Sequence, residues 1–459
     1  MHDLKNLAPN APESNAPESG APESGASEAT LPLAIGGRDL EISTSQLEEY
    51  LELLVDVWVD QQNVSRMLIL PPDHTRLYSR AGDITAWLYR QLAGRVQVDV
   101  MPALGTHSAM TPEQCDLMFG DAVPYEQIIP HRWRDDLIRL GELSAEEIGE
   151  LSNGLFHKPI PAEVNQRIIQ GGYDLIVSVG QVVPHEVIGF ANYTKNVCIG
   201  TGGKETIDRS HFMGAVCDME TIMGRIDTPV RQAIDGAFDR FVRPLANIQF
   251  LLTVIEETET GTAMRGIFAG NDDACYRQAA TLSQQVNVTV VDRPFTRCVV
   301  YLDPREFHST WLGNKSIYRT RMAMADGGQL LVVAPNVKTC GEDPAIDKLI
   351  RRFGYRGRQA TLEAVQDHLE MENNLSAAAH VIHGSSEGRF TITYCPGPGM
   401  TRDEVEEIGY KYRPCDEVAR AFDVEGLTDG WHDGPDGEPF YFIRNPALGL
   451  WSTGDRFAN

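Results

Sequence analysis

A histidine and a lysine, His185 and Lys195, stand ten residues apart in the run V-P-H-E-V-I-G-F-A-N-Y-T-K, and a second histidine, His211, follows sixteen residues later. A desolvated lysine amine is a point of covalent attachment. Imidazole carries protons near neutral pH and ligates metals. Few folding needs ask for all three capacities within 27 residues, so the pattern points to an enzyme.

Three further stretches carry reactive groups. Asp73-His74-Thr75-Arg76 offers a carboxylate, a hydroxyl and a guanidinium suited to an anionic ligand; a turn in which Asp73 caps the next helix is the simpler use of it. Gly105-Thr106-His107 presents a histidine on a glycine turn. Gly200-Thr201-Gly202-Gly203 feeds a helix whose free N–H groups attract phosphate. That loop is a weak match to a dinucleotide fingerprint, with Asp218 downstream. An NAD-type dehydrogenase is therefore the alternative reading. However, the first βα turn, where such a fingerprint belongs, reads P-P-D-H-T-R.

Positioning these groups requires strands and helices in alternation. Residues 65–72 and 96–104 read as buried strands with a helix over 81–94 between them, which is a βαβ unit and hence a parallel sheet. Strands follow at 173–180, 249–257 and 265–270, with helices over 163–172 and 273–285. A second series places strands at 297–303, 329–335 and 389–395 and helices around 313–326, 343–352, 360–382 and 402–408. The expected class is α/β, with two α/β domains of mainly parallel sheet divided near residue 288: a cofactor-binding domain over 31–288 and a closing domain over 289–459. Residues 1–30 repeat Ala-Pro-Glu-Ser and have nothing to bury, so a disordered tail is expected there. Asp73, His107 and His185 each follow a strand, which places all three on the ligand-binding edge of the first sheet.

A formal charge of −25 opposes a nucleic-acid surface and an anionic membrane. Eight cysteines without a C-x-x-C pair argue against a thiolate zinc site and a disulfide framework. The sequence shows neither a signal-peptide pattern nor a long apolar run. A cytoplasmic protein is expected.

Taken in order, the polar motifs resemble the nickel-pincer lactate racemase family and its wider set of 2-hydroxyacid racemases and epimerases. The resemblance runs through D73-H-T-R76, G105-T-H107, P-H185-E-x-x-G-F-x-x-x-x-K195 and G200-x-x-G203-x-E-T-I-x-x-x-H211, then reaches Lys315 twelve residues before Gly327-Gly328. Asn165, T228-P-V-R231 and F268-A-G270 also fit. It covers residues 65 to 335 and implies two α/β domains around a cleft. It further implies a nickel-pincer nucleotide, of the pyridinium-3,5-bisthiocarboxylic acid mononucleotide type, tethered to Lys195. Nickel would be held by two sulfurs and a ring carbon of that cofactor, with His211 as the protein ligand. Asp73, Thr75, Arg76, Gly200 and Gly203 would bind cofactor, and Arg76, Trp311 and Lys315 the substrate, a small 2-hydroxy acid. His107 and His185 would act as acid and base on opposite sides of that substrate while hydride passes to the cofactor and back. Cofactor-synthesis proteins would be required partners.

Three departures carry expectations of their own. Ala191-Asn192-Tyr193-Thr194 stands where the family has a Ser-Gly-Gly-type stretch before the lysine, which puts side chains where backbone should approach cofactor. Trp311-Leu312 stands where lactate-inverting members carry Tyr-Gln, which points to a substrate other than lactate. Residues 355–385 contain no counterpart to the family's C-terminal tryptophan. A non-catalytic cofactor-binding homologue is the remaining alternative.

Overall fold

The strand Arg66–Leu70 reads Arg-Met-Leu-Ile-Leu, an apolar run without alternation, because both of its faces are covered. Met67 and Ile69 face one core with Ile84, Leu88 and Leu92 of the helix Ala81–Leu92. Leu68 and Leu70 face another with Phe190, Val197 and Met213. The computed structural model describes residues 33–258, 261–447 and 449–458; the Ala-Pro-Glu-Ser repeat lies outside the described residues.

Arg66–Leu70 pairs in parallel with Gln97–Val100 on one side and Leu175–Gln181 on the other. Leu175–Gln181 pairs in parallel with Ile248–Thr258, and an antiparallel edge of Gly261–Gly270 and Leu33–Gly36 completes six strands. A second six-stranded sheet runs Lys411–Tyr412, Thr391–Pro396, Met324–Ala334, Phe295–Tyr301, Pro439–Ile443 and Gly430–Asp433. All of its pairings but the last are parallel. The fold is thus α/β with mainly parallel sheets. The strand Leu450–Thr453 returns to pair with Val288–Val291.

Three segments depart from the sequence expectation. Residues 163–172, read as a helix, open as the strand Ile160–Asn165, and only Gln166–Gln170 is helical. Ile160, Ala162 and Val164 enter the core from one face of the strand, and its pairing with Leu137–Leu143 holds the backbone extended. The helix over 313–326 is two single turns, Thr310–Gly313 and Lys315–Tyr318, before the chain enters a strand at Met324. The helix over 360–382 is three, Arg358–Asp367, Leu369–Glu372 and Leu375–His383; it breaks at His368 and again at Asn373-Asn374, a residue type whose side chain competes for backbone hydrogen bonds.

Candidate active site

Asp73, His107 and His185 follow the carboxyl ends of three neighbouring parallel strands. They line one cavity of about 530 Å³ together with Thr75, Arg76, Lys195, Gly200 and His211. Trp311, Tyr318, His380 and His383 from the second half of the chain complete its wall.

The loop from Gln97–Val100 turns at Gly105, whose φ of +58° suits a residue without a Cβ. The Gly105 N–H donates to the Gly200 carbonyl at 2.8 Å, fixing the turn against the 200–203 loop. Beyond it, His107 Nδ1 lies 2.7 Å from Asp73 Oδ2. The other Asp73 oxygen accepts from the Thr75 backbone N–H at 3.1 Å and from the Thr75 hydroxyl. Burial pushes the Asp73 carboxyl up, but the bonds from His107 and Thr75 bring it below the usual carboxylate range. An ionised Asp73 accepts a proton-bearing Nδ1, so the neutral form of His107, which lines the cavity, carries its lone pair on Nε2. Asp73 therefore acts on His107 directly and Thr75 acts through Asp73, a link that the sequence expectation did not contain.

Lys195 sits on the short helix Thr194–Cys198, pinned by its neighbour. Asn196 Nδ2 donates to the Leu70 carbonyl at 3.0 Å, at the end of one central strand, and to the Ser178 hydroxyl at 2.9 Å, in the middle of the next. The preceding Asn192 and Tyr193 have φ of +66° and +59°. The chain thus keeps, with side chains in place, a backbone path that glycines adopt freely. Two contacts stabilise that path. Buried Arg231 donates to the carbonyls of Phe190 at 2.7 Å and Asn192 at 3.4 Å and to the Thr194 hydroxyl at 3.1 Å. Tyr193 packs between Phe250 and Tyr276. Burial, with Arg76 adding repulsion, pulls the Lys195 amine down to about 8.

His185 is buried and accepts the Val187 backbone N–H at Nδ1, 3.1 Å away. Glu186 Oε2 lies 3.9 Å from the same nitrogen, too far for a hydrogen bond. Burial draws His185 well below the ordinary imidazole range, reinforced by Lys195 and Arg76 and only partly opposed by Glu186, so the ring is neutral. The Glu186 carboxyl, which burial alone would raise, is brought below its ordinary range by the charges around it, Arg319 among them.

His211 lies on the helix Lys204–Val216 and donates Nδ1–H to the Ile207 carbonyl at 2.7 Å. A carbonyl accepts only, so the Nε2 lone pair is free for the cavity. A metal-ligating histidine ordinarily holds its second nitrogen in this way. Among the described residues, no three or more His, Cys, Asp or Glu side chains converge as a metal site.

The other expected residues divide. Arg76 lines the cavity, and although its backbone N–H donates to the Asp73 carbonyl, its guanidinium makes no hydrogen bond or ion pair to another described residue and is open to an anion. Trp311 also lines it, its ring stacked on His380 at 4.1 Å. Lys315 is not among the residues that line the cavity; its Nζ lies 5.9 Å from the Phe307 ring centre, and burial, with Arg76 adding repulsion, lowers it to about 8. Gly200 reaches the cavity, whereas Gly203 caps the Lys204–Val216 helix where a side chain would run into Glu163 and Leu137. The 200–203 loop follows the helix Thr194–Cys198 and no strand, unlike a dinucleotide fingerprint, and Asp218 caps the helix Met219–Ile222.

Sequence reasoning missed His380 and His383. They stand three apart on Leu375–His383, both buried and both on the cavity wall. That spacing on an apolar helix was the available signal. His380 Nε2 lies 3.0 Å from the Tyr355 hydroxyl, while His383 Nε2 is buried without a partner.

Residues 58–224 match the family described as the lactate racemase N-terminal domain. A lactate racemase of Thermoanaerobacterium thermosaccharolyticum is 23% identical over 276 residues, 58% of this chain and 59% of the relative, so the match spans under two thirds of that protein's length. A crystal structure of a Thermotoga maritima protein superposes with a TM-score of 0.76 at 24% identity, covering 91% of this chain and 100% of that one. The lactate racemase apoprotein of T. thermosaccharolyticum superposes at 0.67 with 14% identity, over 91% and 94% of the two chains.

Proposed function

We propose that this chain, a lactate-racemase-like protein, inverts the 2-carbon of a small 2-hydroxy acid with a nickel-pincer nucleotide tethered to Lys195. The observation that carries the reading is the meeting of Lys195, His211, His107 and His185 in one cavity. Inversion at a carbon bearing a hydroxyl needs hydrogen removed from one face and returned to the other. That C–H is too weakly acidic beside a carboxylate for easy deprotonation, so it leaves as hydride, and accepting and returning hydride is what the cofactor supplies when bound.

The residues fit such a group. Lys195 has a lowered amine pKa in a half-enclosed position, as a covalent attachment needs. His211 is oriented with Nε2 free, as a single protein ligand to a metal held mainly by its cofactor needs. Arg76 faces the cavity with its guanidinium unpaired and binds the substrate carboxylate or the cofactor's anionic groups, with Lys315 adding positive charge near Arg76. Asp73 and Thr75 hold His107 at the substrate's hydroxyl, and buried His185 stands on the same cavity wall. These two imidazoles manage the hydroxyl proton. Trp311, stacked on His380, stands in the tyrosine's place and Leu312 in the amide's, and the loss of that amide donor favours a 2-hydroxy acid other than lactate.

Protein made alongside cofactor-synthesis proteins tests the reading. Peptide mass analysis should find an adduct on the Lys195 peptide, with nickel in proportion. Active enzyme with an unmodified Lys195 would refute the tether.

A further inference from the structure

The two histidines at the candidate substrate position are held in opposite tautomers. Asp73, an acceptor when ionised, takes the Nδ1–H of His107 and leaves Nε2 with a lone pair. The Val187 backbone N–H is a donor and nothing else, so His185 Nδ1, 3.1 Å away, must accept. A neutral imidazole accepting at Nδ1 carries its hydrogen on Nε2. For His185 to accept a proton at Nε2, Nδ1 would have to hold the hydrogen and oppose the Val187 N–H inside a buried turn. Leaving that backbone donor unsatisfied would carry the desolvation penalty of a buried, unpaired N–H.

We infer that the two histidines are not an interchangeable acid–base pair: His107 is the sole proton acceptor, and His185 is a fixed Nε2–H hydrogen-bond donor to the substrate's 2-oxygen. The assignment rests on the proposed function and divides its labour. The hydroxyl proton passes to His107 Nε2 as the C2 hydrogen leaves with its electron pair to an acceptor of the nickel-pincer class. When that hydrogen returns to the opposite face, the same nitrogen gives the proton back to the oxygen. The His185 hydrogen stays on its ring throughout and polarises the transient carbonyl, as a preorganised donor does. With one base serving both directions, the oxygen stays between the two rings while the carboxylate and the remaining substituent exchange places about it.

Two readouts test this. In protein carrying ¹⁵N-histidine at neutral pH, without cofactor, the ring signals should show His185 protonated at Nε2 and both His107 and His211 at Nδ1, each assigned by its disappearance in a His→Gln variant. In cofactor-loaded enzyme, His185→Gln keeps an N–H donor that cannot accept a proton. Its turnover should fall about three- to tenfold, whereas His185→Ala loses about 100-fold or more and His107→Gln loses inversion altogether. A hydrogen on Nδ1 of His185, or a folded His185→Gln as inactive as His185→Ala, overturns the assignment. A wild type that inverts no 2-hydroxy acid would sink the functional reading, and the ring signals would still decide the tautomers.

Discussion

Asp73 Oδ2 and His107 Nδ1 are 2.7 Å apart, and they bridge two strand-end loops that start on neighbouring strands. The pair converts an exposed histidine, which alone would take either tautomer, into one oriented base. Asp73→Asn should keep the fold but weaken the preference for Nδ1–H and remove the charge that stabilises the protonated ring. Turnover should fall about 100-fold or more with little change in melting temperature. Steady-state rates on cofactor-loaded enzyme would check this; an Asn variant near wild-type activity would show that the carboxylate is only structural.

Lys195 should react as an unusually acidic amine. Its pKa of about 8 means that it is largely protonated below pH 7 and largely free above pH 9. In protein without cofactor, acylation of Lys195 followed by peptide mass analysis should rise with a midpoint near pH 8. Exposed lysines should follow about two units later. A Lys195 that tracks the exposed lysines would show that its pocket is wetter than the structure indicates.

His211→Ala should uncouple metal from tether. The adduct on the Lys195 peptide should persist while nickel falls to a small fraction of the wild-type content. Metal analysis beside peptide mass spectrometry reads both quantities on one sample. Equal nickel in wild type and variant would remove His211 from the ligand set.

His380 and His383 make the fold sensitive to acid. Burial holds both near a pKa of about 3, against about 6.5 in an unfolded chain. Below pH 6.5 the unfolded state binds protons that the folded state refuses. This stability is therefore present above that pH and lost as pH falls toward 3. At pH 5.5 each histidine costs about 1.4 kcal/mol. His383→Phe should shrink the loss of stability between pH 7.5 and 5.5 by about that amount, as read by denaturant titration. An unchanged pH dependence would mean that His383 is charged or solvated in the folded state.

Much of the site was legible because short motifs at strand ends share one edge of a parallel sheet. The apolar runs 65–72, 96–104 and 173–180 sufficed to place Asp73, His107 and His185 together. The path through Asn192 and Tyr193 was not legible. Glycine-like backbone there depends on Arg231, some 40 residues away in sequence, bonding to the carbonyls of residues 190 and 192. The tautomers were hidden for the same reason: each is set by a partner, Asp73, Val187 or Ile207, whose approach only the folded chain defines. His380 and His383 were legible in principle, but the Asn373-Asn374 break that aims their helix at the cavity was read as helix interior. The last residues of the strand Ile160–Asn165 were merged with the helical turn Gln166–Gln170 that follows without a break.

The most direct test is chiral chromatography of single-enantiomer 2-hydroxy acids, bulky and polar members included, incubated with enzyme whose Lys195 adduct and nickel have been established. At least one acid should convert to a mixture of both configurations at C2, and none should do so with Lys195→Ala. Unchanged optical purity across the panel, with adduct and metal in place, would contradict the assignment of this chain as a 2-hydroxyacid racemase or epimerase.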